Sequence, residues 1–148
     1  MSIRMTRDRN GAVATVSIDN AGRLNCLGHA QITGFIDAVT ALADDPDLRV
    51  LIVTGEGDRA FMGGANLHEL AALNPPKARD FLTLIHRMCK VLRDLPVPVI
   101  ARVNGFCLGA GLEVMAALSQ IRCTSRSRGT RASISSRNWR NSCARWRG

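Results

Sequence analysis

Two short apolar runs constrain this chain most: Val-Leu-Ile-Val at residues 50–53 and Val-Pro-Val-Ile-Ala at residues 97–101, each leading into a glycine-bearing loop. Neither alternates polar with apolar side chains, so each reads as a strand buried on both faces, the mark of a parallel sheet covered by helices. Both fall far short of the ~18 residues that a membrane span requires. Between them, Phe81, Leu84, Ile85, Met88, Leu92 and Leu95 recur at helical spacing, predicting a helix that starts after Pro75-Pro76 and is stopped by Pro96. Ile32, Phe35, Ile36, Val39 and Leu42 predict another over residues 29–43, ended by Asp44-Asp45-Pro46-Asp47. Residues 12–18 alternate with a period of two and read as a strand, joined through Asn10-Gly11 to an antiparallel partner over residues 3–9. A short helix is expected near Asn66 and a further one over residues 110–118. Strand, strand, helix, strand, helix, helix, strand, helix is an α/β layout.

That layout stops at Leu118, and composition breaks at the same place. The formal net charge is +8, yet residues 1–118 hold 12 Lys or Arg and 12 acids, while residues 119–148 hold eight Arg, no Lys and no acid. The later stretch shows no apolar stripe and carries both tryptophans, Trp139 and Trp146. It reads as a disordered, Arg/Ser-rich tail outside the domain of residues 1–118, the product of a shifted reading frame or a mis-joined gene end. A nucleic-acid arm is the competing reading of this tail, because cations and stacking aromatics suit single strands. With the folded part neutral, no nucleic-acid partner is expected. Arg4, Arg7, Asp8 and Arg9 interrupt any secretory signal at the start, which points to a cytoplasmic protein with no membrane partner. Five cysteines without paired spacing suit reduced thiols.

Elimination narrows the chemistry. Before residue 119 the only serines are Ser2 and Ser17, so a Gly-x-Ser-x-Gly nucleophile is excluded, and no Gly-Lys-Ser/Thr supplies a P-loop. The glycines at 105, 109 and 111 have the wrong spacing for a dinucleotide fingerprint, and His29, His68 and His86 show no metal spacing. Two positive features remain. Phe61-Met62-Gly63-Gly64-Ala65-Asn66 runs paired glycines into a helix start, and Gly109-Ala110-Gly111-Leu112-Glu113 does the same with a carboxylate in the first turn. Alone, each cluster is better accounted for as a tight loop and cap, and Glu113 as an acid complementing the helix dipole. Together, two such helix starts supply one amide each to an oxyanion hole, with Glu113 on the face of the Ala110 amide for proton transfer beside a carbonyl.

At these residues the sequence resembles the crotonase superfamily, the enoyl-CoA hydratase/isomerase family. Leu24-Asn25-Cys26-Leu27 is similar to that family's Leu-Asn-Ala-Leu, and residues 59–67 to its Ala-Phe-x-x-Gly-Ala-Asp-Leu; residues 95–101, 103–105 and 109–113 resemble its second signature block. The resemblance implies a spiral of ββα units, truncated here, that binds an acyl-CoA thioester with no separate cofactor and no metal. It implies that Ala65 and Ala110 donate the oxyanion-hole amides and that Glu113 is one of two catalytic glutamates. It places Arg23 near the CoA phosphates, with Gly63, Gly64, Asn66, Leu67, His68 and Gly109 along the substrate; Asn66 and His68 stand where Asp and Lys are usual. The implied reaction is an enoyl-CoA hydratase-like lyase reaction adding water across a 2,3 double bond, with an isomerase or a non-catalytic acyl-CoA-binding remnant as alternatives. The second glutamate is expected after residue 118, where the chain has no acid, so activity is expected to be impaired. Full-length members imply a homotrimer or hexamer.

Overall fold

The computed structural model describes residues 3–118, 120–123 and 133–135. At its start, Arg9, Asn10 and Gly11 all take positive φ (51°, 58° and 93°), the backbone that a tight right-twisted hairpin demands. The turn joins β1 (Ile3–Asp8) to β2 (Val13–Ile18) in antiparallel register, as Asn10-Gly11 predicts. From there helices link parallel strands. α1 (His29–Thr40) leads to β3 (Val50–Gly55), parallel to β2. The long helix α3 (Pro75–Asp94) leads to β5 (Val99–Val103), parallel to β3.

Each of β3 and β5 is followed by a second, very short strand and then a helix start. β4 (Ala60–Met62) precedes α2 (Leu67–Ala71), and β6 (Phe106–Cys107) precedes α4 (Ala110–Ala116). β4 and β6 pair with each other in parallel as a separate two-stranded sheet. The repeat is therefore ββα, and the spiral expected from the sequence is present. Neither short strand is visible as a period: Ala60, Phe61 and Met62 are all buried and so show no alternation, and β6 has only two residues.

The main sheet has the order β1-β2-β3-β5, followed by β7 (Gln120–Cys123) and β8 (Ser133–Ser135). Its covered face contributes Ala14, Val16, Ile18, Leu51, Val53 and Ala101, which meet Ile32, Phe35, Ile36 and Val39 of α1 and Phe81, Ile85, Met88 and Leu92 of α3 in one core. The opposite face is less enclosed than the unbroken apolar runs suggest, since Val50, Ile52 and Ile100 are only half-buried. α1 ends at Thr40, earlier than its stripe, because Leu42 and Ala43 donate to Val39 O and Thr40 O in a tightened last turn; Leu42 still reaches the core. α3 starts on Pro75 and Pro76, whose missing N–H groups cost nothing in a first turn, with Asn74 Oδ1 accepting from Lys77 N at 3.1 Å.

Two segments past Leu118 join the sheet. β7 (Gln120–Cys123) runs parallel to β5 with Ile121 buried, and β8 (Ser133–Ser135) pairs antiparallel to β7. The rest of the stretch read as a basic tail, with Trp139 and Trp146, lies outside the described residues.

Loops are held by buried amides. Asn25 is fully buried at φ 54°; its Oδ1 accepts from Asn20 N at 3.0 Å, and its Nδ2 donates to Glu56 O at 2.9 Å and Ala60 O at 2.8 Å. One side chain thus ties the β2–α1 connection to both ends of the β3–β4 loop. Asn25→Ala leaves two carbonyls and one N–H without partners, each costing about 1 kcal/mol or more, so urea denaturation should show a loss of about 3 kcal/mol. A second expectation concerns Cys89, buried in α3. Burial pushes its thiol up, Arg93 opposes the shift and Glu113 reinforces it. The reactive thiolate is therefore scarcer at Cys89 than at an ordinary cysteine. In an iodoacetamide time course at pH 8 read by peptide mass spectrometry, Cys89 should be modified well after Cys26 and Cys107, which are partly exposed.

Candidate active site

The pairing of β4 with β6 fixes the site, because it lays two glycine loops side by side. Phe106 N donates to Arg59 O at 3.0 Å and Leu108 N to Met62 O at 3.1 Å, so the two chains leave the small sheet together. Gly64 (φ 108°) and Gly109 (φ 50°) then take left-handed conformations that favour glycine, and a Cβ on Gly109 would lie only 3.8 Å from Gly64 Cα. Behind them Gly111 packs on β4 so closely that a Cβ would lie 2.3 Å from Met62 O. The third wall is the segment Leu24 to Leu27. Gly63 N donates to Leu24 O, Leu27 N to Gly64 O and Asn66 N to Leu27 O, each at 2.8 Å.

These bonds aim two amides. In a planar trans peptide the C=O and N–H point in opposite directions, and no peptide among the described residues is cis. Gly64 O faces Leu27 N, so the Ala65 N–H points away from the Leu27 segment. Gly109 O accepts from Leu112 N and Glu113 N inside α4, so the Ala110 N–H points out of that helix's N-terminus. Among the described residues no acceptor meets either N–H. Two unpaired amides on abutting loops are suited to an oxygen on which negative charge develops.

Beside them lies a cleft of about 480 Å³, lined by Arg23, Cys26, Gly63, Gly64, Ala65, Asn66, Leu67, His68 and Gly109. The structure thus brings together eight residues expected from the sequence and adds Cys26. Arg23 is exposed and makes no ion pair among the described residues, leaving its guanidinium for an anion. His68 and Leu67 are also exposed, on the first turn of α2. Asn66 caps that helix, its Oδ1 accepting from His68 N at 3.2 Å, and its Nδ2 donates to Glu69 Oε1 at 2.9 Å. Ala110 adjoins the cleft through Gly109 and is buried. Glu113 is not part of the lining; it lies one turn along α4 with its side chain exposed. Sequence reasoning did not find Glu69, whose signal, an acid three residues after the cap Asn66, matches the capping-box spacing. No described helix is long and apolar enough to cross a membrane.

Comparison with known proteins is consistent over most of the chain. Residues 8–129 match the family described as Enoyl-CoA hydratase/isomerase, a match that runs past Leu118. A crotonyl-CoA hydratase of Syntrophomonas wolfei is 36% identical over 107 residues, 72% of this chain and 41% of that protein. A carnitinyl-CoA dehydratase of Salmonella arizonae is 35% identical over 122 residues, 82% of this chain and 45% of that protein. Among solved structures, an enoyl-CoA hydratase from Bacillus anthracis superposes with a TM-score of 0.77 at 28% identity, over 84% of this chain and 51% of that one. The chain spans less than half the length of the two curated relatives.

The closeness of Gly111 to Met62 O gives a direct test of how the loops are held. Gly111→Ala should force α4 away from β4 and cost about 1 to 3 kcal/mol of stability by overpacking. Chemical denaturation measures that loss, and binding of a CoA thioester should weaken with it.

Proposed function

Because the chain belongs to the enoyl-CoA hydratase/isomerase family, we propose that it binds an acyl-CoA thioester in the cleft and acts as a hydratase-type lyase, stabilising an enolate between the Ala65 and Ala110 amides. Two N–H groups on abutting glycine loops, met by no acceptor among the described residues, carry this reading. When water adds to C3 of an enoyl thioester, electrons move onto the thioester oxygen, and the proton is then delivered to C2. A donor aimed at that oxygen is worth roughly 3 to 4 kcal/mol in the transition state. Glu113, in the first turn of the helix that presents the Ala110 amide, is the acid/base for the proton. Arg23 and His68, at the exposed end of the cleft, face the CoA phosphates, and Gly63, Gly64, Asn66, Leu67 and Gly109 line the path of the thioester arm.

A hydratase that divides the work between two carboxylates needs a second one, and residues 119–148 contain no acid. With Glu113 alone, exchange of a C2 proton is retained better than addition of water. NMR of butyryl-CoA in D₂O should show exchange at C2, faster relative to crotonyl-CoA hydration than in a two-carboxylate hydratase, and Glu113→Gln should abolish it. Ala110→Pro is the sharper test of the hole. Position 110 opens α4, where proline is tolerated, so the change removes the N–H with little harm to the helix. It should slow exchange about 100-fold. The exposure of Glu113 favours one second reading, a non-catalytic acyl-CoA binder. Thioester binding without any exchange, unchanged in Glu113→Gln, would select it.

A further inference from the structure

α2 has only five residues, too few to hold its own shape, yet it carries the cap residue that follows the Ala65 amide. Besides the packing of Leu70 on the core and the bond from Asn66 N to Leu27 O, the Glu69 carboxylate holds it. Glu69 Oε1 accepts from Asn66 Nδ2 and Oε2 from the backbone N–H of His29, both at 2.9 Å. His29 is the first residue of α1, directly after the Leu27-Gly28 segment that aims the Ala65 peptide through Leu27 N and Leu27 O. The fit is close: a Cβ on the buried Gly28 would lie 2.2 Å from Glu69 Oε1, so only glycine leaves room for the carboxylate. Glu69 is absent from the lining of the candidate active cleft. It borders instead a second cleft of about 620 Å³ with His29, Leu73, Lys77 and Phe81.

We infer that Glu69 is a positioning residue for the oxyanion hole: it locks the Asn66 side chain to the start of α1 and so fixes the direction of the Ala65 N–H. The inference rests on the thioester reading given above. An aspartate at 66 has no N–H to donate to Glu69, so this lock depends on the amide that this chain carries there. Without the lock, α2 and the Ala65–Asn66 turn gain freedom, and the N–H spends less time aligned with the thioester oxygen. Binding of CoA through Arg23 and His68 is little affected.

The test uses the 148-residue chain and 2,4-hexadienoyl-CoA, a conjugated thioester whose absorption moves to longer wavelength when hydrogen-bond donors polarise its carbonyl. The shift per bound ligand reports alignment of the hole, whereas loss of folded protein lowers only the amount bound. The unaltered chain should red-shift the probe. Glu69→Ala should bind it with a similar Kd but show about half the shift or less. Glu69→Gln, which keeps one acceptor oxygen, should fall between them. A full shift in folded Glu69→Ala overturns the inference and leaves the thioester reading standing. Bound probe with no shift in the unaltered chain overturns both. Should Glu69→Ala melt below the assay temperature, Glu69→Gln decides by the same measure: a full shift overturns the inference and a reduced one supports it.

Discussion

The parallel pairing of β4 with β6 is the interaction on which the site depends. It consists of a few backbone bonds between two strands of three and two residues. Strands that short do not hold together by themselves. They are held because each follows a long strand of the main sheet, β3 or β5, whose parallel register is already fixed by the core beneath α1 and α3. The energy that brings the two glycine loops into contact is therefore hydrophobic burial elsewhere, transmitted through register. Slipping β5 by one residue against β3 would turn Ala101 and Val103 out of the core, and it would carry Gly109 away from Gly64.

Polar groups convert that register into a fixed loop geometry. Asn25 ties residues 20, 56 and 60 together from the buried side. Asn104, just past the end of β5, does the same, its Nδ2 donating to Gly55 O at 2.8 Å and to Gly57 O at 2.5 Å. Thr54 adds a bond from its hydroxyl to Arg102 O at 2.8 Å. These residues make no contact with the cleft. Their side chains supply donors where the backbone leaves buried carbonyls unpaired, and a loop with every carbonyl satisfied has one low-energy shape.

Much of the fold was legible because long elements announce themselves by period. The stripes from Ile32 to Val39 and from Phe81 to Leu92 place α1 and α3, and Asn10-Gly11 places the first hairpin. β4, β6 and β7 were not legible for a shared reason: each is too short to display a period, and its pairing partner is distant in sequence. At β7, Ile121 is one apolar residue among arginines and serines, and its burial is decided by the vacant edge of β5. The site was legible where chemistry needs glycine. Residues 63, 64, 109 and 111 are spaced by the backbone contacts they permit. Cys26 was not, because nothing local distinguishes a thiol that faces a cleft from one that faces solvent, and the spacing of Glu69 from Asn66 marks only a helix cap, not its bond to the start of α1.

The site is made mainly of backbone, and that explains the liberties its sequence takes. In the proposed reaction Ala65 and Ala110 act through N–H groups that any residue but proline would supply, so their side chains need only be small enough for the loops to abut. Asn66, at a position where the family resemblance implies aspartate, still caps α2, because the capping oxygen is common to both side chains. What distinguishes asparagine is its second group, the N–H₂ that reaches Glu69. Glu113 is the exception, a side chain whose own chemistry the proposed reaction needs. It is exposed on the short helix α4. Its carboxylate is therefore well hydrated, and water competes with a thioester for it. Any group that covered that face of α4 would remove the competing water and strengthen the field of both amides together. The placing of the two amides is set by the fold already in hand, whereas the reactivity proposed for Glu113 depends on what shields it.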